Sequence, residues 1–185
     1  CKRNNVLFIA DEIQTGLGRT GKLFACDHEG VKPDMIVIGK ALSGGFYPVS
    51  AVLSSEDIMG LFRPGEHGST FGGNPLGAAV ARTALRVLTE EGLIQNAARM
   101  GEYFTDQLVE MPQKNIQEIR ARGLLIGVEL KASSGAARPY CEALQEKGIL
   151  AKETHESTIR FAPPLIIDKG KIDWALERIR PVLTK

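Results

Sequence analysis

Two apolar runs that each end in an ionisable side chain hold the first chemistry in this sequence. Lys40 closes the run Met35, Ile36, Val37, Ile38, Gly39, a position that presses an amine toward a sheet end with little water. Desolvation disfavours the ammonium, and a neutral lysine amine is what carbonyl capture requires. Ser43, Gly44 and Gly45 follow, small enough for a flat ligand to approach the backbone. The competing reading is a strand-end lysine reaching back to solvent. Asp11 closes the run Val6, Leu7, Phe8, Ile9, Ala10. A carboxylate there must find a cation or several donors. A protonated ring nitrogen of a cofactor would serve, and the pair would keep the ring an electron sink. An aspartate capping the next turn is the alternative. The third group is Gly68, Ser69, Thr70, Phe71, Gly72, Gly73, Asn74 and Pro75. Two hydroxyls and several glycines ahead of a helix start suit an anion-binding corner, and equally an ordinary hydroxyl turn with a helix cap.

Groups at strand ends need strands to hold them. Residues 6–10, 34–39 and 49–53 are predicted strands, and their continuous apolar character is that of a sheet covered on both faces. Such α/β sheets place ligand groups just past strand ends. From Asn74 the period lengthens to that of a helix, with Leu76, Val80, Ala84, Val87 and Leu88 on one face. Ile94, Ala97, Gly101, Phe104 and Leu108 form a second stripe. A strand over 124–130 follows, then a helix from Arg138 that ends near Gly148, a strand over 158–162, and a last helix capped by Asp168. Its buried side carries Ile172, Ala175, Ile179 and Val182. The fold class is therefore α/β: residues 1–90 form part of a large α/β domain, and residues 91–185 a small α+β domain. Three strands leave an open apolar edge, which proteins avoid. Together with the lack of an initiator Met, that edge makes the sequence read as a piece cut from a longer protein just before a strand.

The 185 residues carry 23 Lys+Arg against 22 Asp+Glu, so no basic excess exists to hold a nucleic-acid backbone. No apolar run nears the roughly 20 residues that a membrane span needs. Cys1, Cys26 and Cys141 are odd in number and lack CxxC spacing, which fits a reducing compartment: cytoplasm, or the mitochondrial matrix in a eukaryotic source. His28, His67 and His155 have no zinc spacing, so no metal is expected. Gly16, Leu17, Gly18, Arg19, Thr20 and Gly21 match GxGxxG, but Asp11 to Thr15 separate that motif from its strand. Gly16 to Lys22 matches the start of a P-loop, yet Leu23 stands where a magnesium-binding hydroxyl is needed. Glycines of a flexible loop are the plainer reading.

Taken in order, three stretches resemble the aminotransferases of the ornithine and 4-aminobutyrate group. They are Ala10-Asp11-Glu12-Ile13-Gln14-Thr15-Gly16-Leu17-Gly18-Arg19-Thr20-Gly21, then Gly39-Lys40-Ala41-Leu42-Ser43-Gly44-Gly45, then residues 67–75. Glu153-Thr154-His155 and Ile159-Arg160-Phe161-Ala162-Pro163-Pro164-Leu165 resemble the members that act on ornithine. The resemblance implies part of the large domain of a fold type I enzyme dependent on pyridoxal 5'-phosphate, followed by its small domain. It implies that Lys40 carries the cofactor as a Schiff base and shuttles a proton, that Asp11 pairs with the pyridine nitrogen, and that Gln14 binds the phenolic oxygen. Thr70, with Ser69 beside it, would reach the phosphate of the neighbouring subunit's cofactor, so a homodimer with a shared active site is implied. Arg160 would grip a substrate carboxylate. The implied reaction moves the terminal amine of L-ornithine to 2-oxoglutarate. Acetylornithine, 4-aminobutyrate or another ω-amine as substrate, or an inactive piece, are the alternatives. The phosphate-cradling loop, the aromatic that stacks on the ring and the acidic partner of the substrate arginine would precede Cys1. One departure is Ala121, where the group usually has glycine in Arg-Gly-x-Gly-Leu; a slightly altered turn is expected there.

Overall fold

A computed structural model describes residues 1–184. The chain separates into two compact units: Cys1–Gly18 with Lys22–Ile94, and Arg19–Gly21 with Gln95 onward.

The first unit is built on strands β1 (Ile9–Asp11), β2 (Met35–Ile38) and β3 (Ala51–Ser54), in that order across the sheet. β1 runs parallel to β2, with Asp11 opposite Val37, and β3 is antiparallel to β2. Two parallel strands that end side by side bring Asp11 and the residues after Ile38 to the same sheet end. A one-turn helix, α1 (Glu56–Met59), follows β3. Helix α2 (Pro75–Glu90) starts where the sequence predicts: Asn74 Oδ1 accepts the Gly77 N–H at 2.8 Å, and Pro75 occupies the first turn. It packs against the short 3-10 turn Lys40–Ser43.

The expected cover on both sheet faces is not seen. Val6, Leu7 and Ile9 are 52–54% exposed, and Phe8, Val52 and Leu53 also face solvent. Leu76, placed on the buried stripe of α2, is exposed as well. These strands carry more apolar surface than the elements of this unit can cover.

The second unit is an antiparallel sheet in the order β4-β5-β7-β6, with β4 (Ile116–Arg122), β5 (Leu125–Leu130), β6 (Lys152–Thr154) and β7 (Thr158–Phe161). Helices α3 (Leu93–Val109), α4 (Arg138–Glu146) and α5 (Lys169–Leu183) share its core. Along β5, Ile126, Val128 and Leu130 alternate inward, and they meet Phe104, Leu108, Ile159, Ile172 and Ile179 in one buried cluster. Each such side chain stabilises by about 1.5–3 kcal/mol. Sequence reading misses β4 and β6. β4 is an edge strand whose charged side chains hide its period, and β6 is three residues long. α4 ends as its glycine requires: Gly148 has φ +79°, its N–H donates to Gln145 O, and the Ile149 N–H donates to Leu144 O. Ala121 lies within β4 opposite Ile126, not in the turn. The turn itself is Gly123-Leu124, with Gly123 at φ +52°.

The glycine motif is no flexible loop. Leu17 and Thr20 are 2% and 4% exposed. Arg19, Thr20 and Gly21 thread into the second unit, where the Leu124 N–H donates to Arg19 O at 3.0 Å and the Arg19 guanidinium donates to Leu124 O and Pro163 O. Glycines permit this closeness: a Cβ on Gly21 would lie 2.9 Å from Ala98 Cβ, and one on Gly101 2.1 Å from Gly123 O.

Candidate active site

Lys40 stands at the junction of β2 with the next turn, in the left-handed region at φ +41°. A side chain with a Cβ rarely adopts that conformation unless the surroundings impose it. Here the Ser43 hydroxyl donates to Lys40 O at 2.7 Å, the Gly45 N–H donates to Ser43 Oγ, and α2 backs the turn. The backbone is thus held while the amine projects outward. Lys40 Nζ donates to Gln14 Oε1 at 3.5 Å, joining the turn after β1 to the turn after β2.

Asp11 ends β1, and its Oδ1 accepts the Ile13 N–H at 3.1 Å. The turn-capping alternative is therefore partly realised with one oxygen. The other makes no hydrogen bond or ion pair among the described residues. Sequence reading expects both Lys40 and Asp11 to be starved of water, and in the structure both are exposed. A sheet end loses water only when something covers it, and no element of this unit does so.

The buried carboxylate at this corner is Glu12, which sequence reading passes over. It is 3% exposed and accepts from the Thr15 hydroxyl at 2.5 Å and the Cys26 N–H at 2.9 Å. Burial acts to raise its pKa, but the bonds from Thr15 and the Ala25 and Cys26 backbone outweigh it and leave the carboxyl below its ordinary value. Burial, with the Glu12 carboxylate beside it, pushes the Cys26 thiol up. The Asp-Glu doublet, with a hydroxyl three residues after Glu12, marks a pair of carboxylates but not which of them turns inward.

Ser69 and Thr70 lie on an exposed loop, where Ser69 Oγ accepts the Gly72 N–H at 2.9 Å. That is the ordinary hydroxyl turn that the sequence admits equally. No hydrogen bond among the described residues joins this loop to Asp11, Gln14 or Lys40. Arg160 belongs to the second unit, on β7 between Gly127 and Lys152 of its neighbouring strands. It is half-buried and forms no ion pair among the described residues. Arg19 belongs to the same unit; burial, then the Arg160 charge, lower its pKa. Two arginines that feel each other without an acidic partner suit an anion.

Among the described residues no cluster of His, Cys, Asp and Glu could hold a metal ion, and no helix is long and apolar enough to cross a membrane. The residues do fit a flat cofactor with a carbonyl and a basic ring nitrogen. An outward amine, a carboxylate with a free oxygen and a neutral amide converge on one sheet end.

A family model described as aminotransferase class-III matches residues 1–183. The chain is 60% identical over 183 residues to an ornithine aminotransferase of Brevibacillus brevis, covering 99% of this chain and 45% of the relative. It is similar to a solved ornithine aminotransferase of Toxoplasma gondii, described as having partial occupancy of PLP at its active site, with 46% identity and a TM-score of 0.92. That match covers 99% of this chain and 44% of the other. A solved acetylornithine aminotransferase of Elizabethkingia anophelis matches with 47% identity and a TM-score of 0.90, over 99% of this chain and 47% of the other. The chain thus spans less than half the length of these relatives.

Proposed function

We propose, because the chain belongs to the class-III aminotransferase family, that it forms the part of a transaminase that holds pyridoxal 5'-phosphate and passes the terminal amine of L-ornithine to 2-oxoglutarate. One observation carries this reading. Asp11 and Lys40 close neighbouring parallel strands, and Gln14 Oε1 lies 3.5 Å from the Lys40 amine. When bound, the cofactor supplies a carbonyl for amine capture and a ring that takes up electrons from a breaking C–H bond.

The chain's own residues do the rest. Lys40 offers Nζ as the attachment amine and, once released, as the base that takes a proton from one carbon and returns it to another. Asp11 presents its free oxygen to a protonated ring nitrogen, a charge-assisted bond that keeps the ring cationic. The Gln14 amide donates to the phenolic oxygen. The Ser69 and Thr70 hydroxyls donate to a phosphate, in a homodimer whose subunits complete each other's sites. Arg160 grips a carboxylate with its planar fork. In this reading residues 1–90 belong to the cofactor-binding domain and residues 91–185 to the small domain. A reducing compartment suits the three free cysteines.

The similarity to an acetylornithine aminotransferase supports a second reading, in which the donor is the free terminal amine of an ornithine acetylated on its other nitrogen. The test is kcat/KM of the full-length protein for ornithine, acetylornithine and 4-aminobutyrate, with 2-oxoglutarate as acceptor. Ornithine should lead. A lead for acetylornithine would move the substrate assignment, and no turnover with any of the three would remove it.

A further inference from the structure

Glu12 is a buried carboxylate that the chemistry above leaves idle. It lies between Asp11 and Gln14 in sequence, and no lysine or arginine pairs with it among the described residues. A buried anion without a cation persists only when its oxygens are filled by donors. Here the Thr15 hydroxyl fills one oxygen at 2.5 Å and the Cys26 N–H the other at 2.9 Å. The backbone of Glu12 is held as firmly. Its N–H donates to Val37 O at 2.9 Å, which carries the β1–β2 ladder one residue beyond Asp11, and its carbonyl accepts the Gly16 N–H at 2.9 Å. Position 16 admits no side chain, since a Cβ there would lie 2.7 Å from Glu12 O.

The flanking groups are held loosely by comparison. Asp11 and Gln14 are exposed, and their bonds are one to the turn's own backbone and one of 3.5 Å. Left to themselves, these side chains would sample several orientations. We propose that Glu12 is the positioning residue of this site, tying the turn of residues 12–16 to the 3-10 turn Ala25–His28 and so setting the angle at which Asp11 and Gln14 meet the cofactor. This rests on the reading of Asp11, Gln14 and Lys40 as cofactor-holding residues. Glutamine keeps the shape of Glu12 but loses its charge, and its NH₂ fits only if the Thr15 hydroxyl turns round to accept. Aspartate is one methylene too short to keep both bonds. Thr15 is the second handle: serine keeps the hydroxyl donor and valine removes it.

The experiment uses the full-length protein, stripped of cofactor and refilled with pyridoxal 5'-phosphate. The dissociation constant is measured, along with the induced circular dichroism of the cofactor band per bound cofactor, which reports ring orientation. Glu12→Gln should raise the dissociation constant by about ten-fold or more and change the dichroism. Thr15→Val should do the same to a smaller degree, and Thr15→Ser should stay near the parent value. Should Glu12→Gln fail to fold, the Thr15 pair decides. Unchanged dichroism in Thr15→Val, with only the unfolding temperature lowered, would reduce Glu12 to a stabilising residue and overturn the proposal. Lys40→Ala and Asp11→Asn are measured alongside. If they disturb the band while the Glu12 and Thr15 variants do not, the positioning role falls and the functional reading stands. If Lys40→Ala and Asp11→Asn leave the band intact, both fall together.

Discussion

Lys40 is exposed in this chain, so its reactivity here owes nothing to burial within it. What the chain supplies is placement: a left-handed backbone, a hydroxyl strap from Ser43, and an amide neighbour in Gln14. Borohydride reduction of the full-length enzyme should fix the cofactor to Lys40, and Lys40→Ala should slow turnover by several orders of magnitude, roughly the combined loss of attachment and proton transfer. A peptide map with the pyridoxyl group on Lys22 or Lys152 would overturn this. Arg160→Lys should raise KM for 2-oxoglutarate far more than it alters the cofactor spectrum, because a point charge cannot reproduce the planar fork. A shifted spectrum with unchanged KM would move Arg160 to the cofactor side. Glu12 adds a pH dependence whose sign follows from its lowered pKa. The unfolded carboxyl titrates near 4.5, so the stabilisation is complete above that value and is lost as pH falls through the lower folded value. Denaturant unfolding followed from neutral to acid pH should therefore fall less steeply for Glu12→Gln than for the parent. Parallel profiles would show that Glu12 titrates alike in both states.

At the scale of elements, the segment Arg19–Gly21 turns a glycine motif into a packing device. Gly101 on α3 and Gly123 in the β4–β5 turn touch backbone to backbone, and Thr20 and Gly21 fit beside them. Gly101→Ala places a Cβ 2.1 Å from Gly123 O, so the helix or the turn must shift. Overpacking of this kind costs about 1–3 kcal/mol, and more where both neighbours are backbone. Chemical denaturation of the full-length protein should show that loss, and an unchanged midpoint would mean that α3 slides freely. The same contacts bear on where the small domain begins. A piece starting at residue 91 would lack the Arg19 guanidinium that satisfies Leu124 O and Pro163 O.

For the whole molecule, the exposed apolar strands and the share of the relatives' length that the chain spans point the same way. Asp11, Gln14, Lys40, Ser69 and Thr70 lie in one unit and Arg160 in the other, while the chain spans 45% of the Brevibacillus brevis relative. A polypeptide of residues 1–185 alone should bind pyridoxal phosphate weakly, show no transamination and self-associate through Val6, Leu7 and Ile9. Sedimentation and an ornithine assay would check this, and a soluble, active monomer would refute it.

Local chemistry makes much of this legible in the sequence. Apolar runs ending in Asp11 and Lys40 marked two strands of one sheet end. Asn74-Pro75 marked a helix start, Gly148 a helix stop, and Asp168 the last cap, where its Oδ1 accepts the Lys171 N–H at 2.7 Å. Each rests on contacts within a few residues, which sequence spacing records directly. Strand β4, with charges on an edge, and β6, three residues long, left no such record. Burial was hidden for another reason. The Asp-Glu doublet does not say which carboxylate turns inward, and that depends on donors from Cys26, 14 residues away. The destination of Arg19–Gly21 likewise depends on Leu124 and Pro163, 105 and 144 residues from Arg19. Long-range hydrogen bonds and close backbone approach leave no periodicity in a sequence, so only the tertiary structure could decide them.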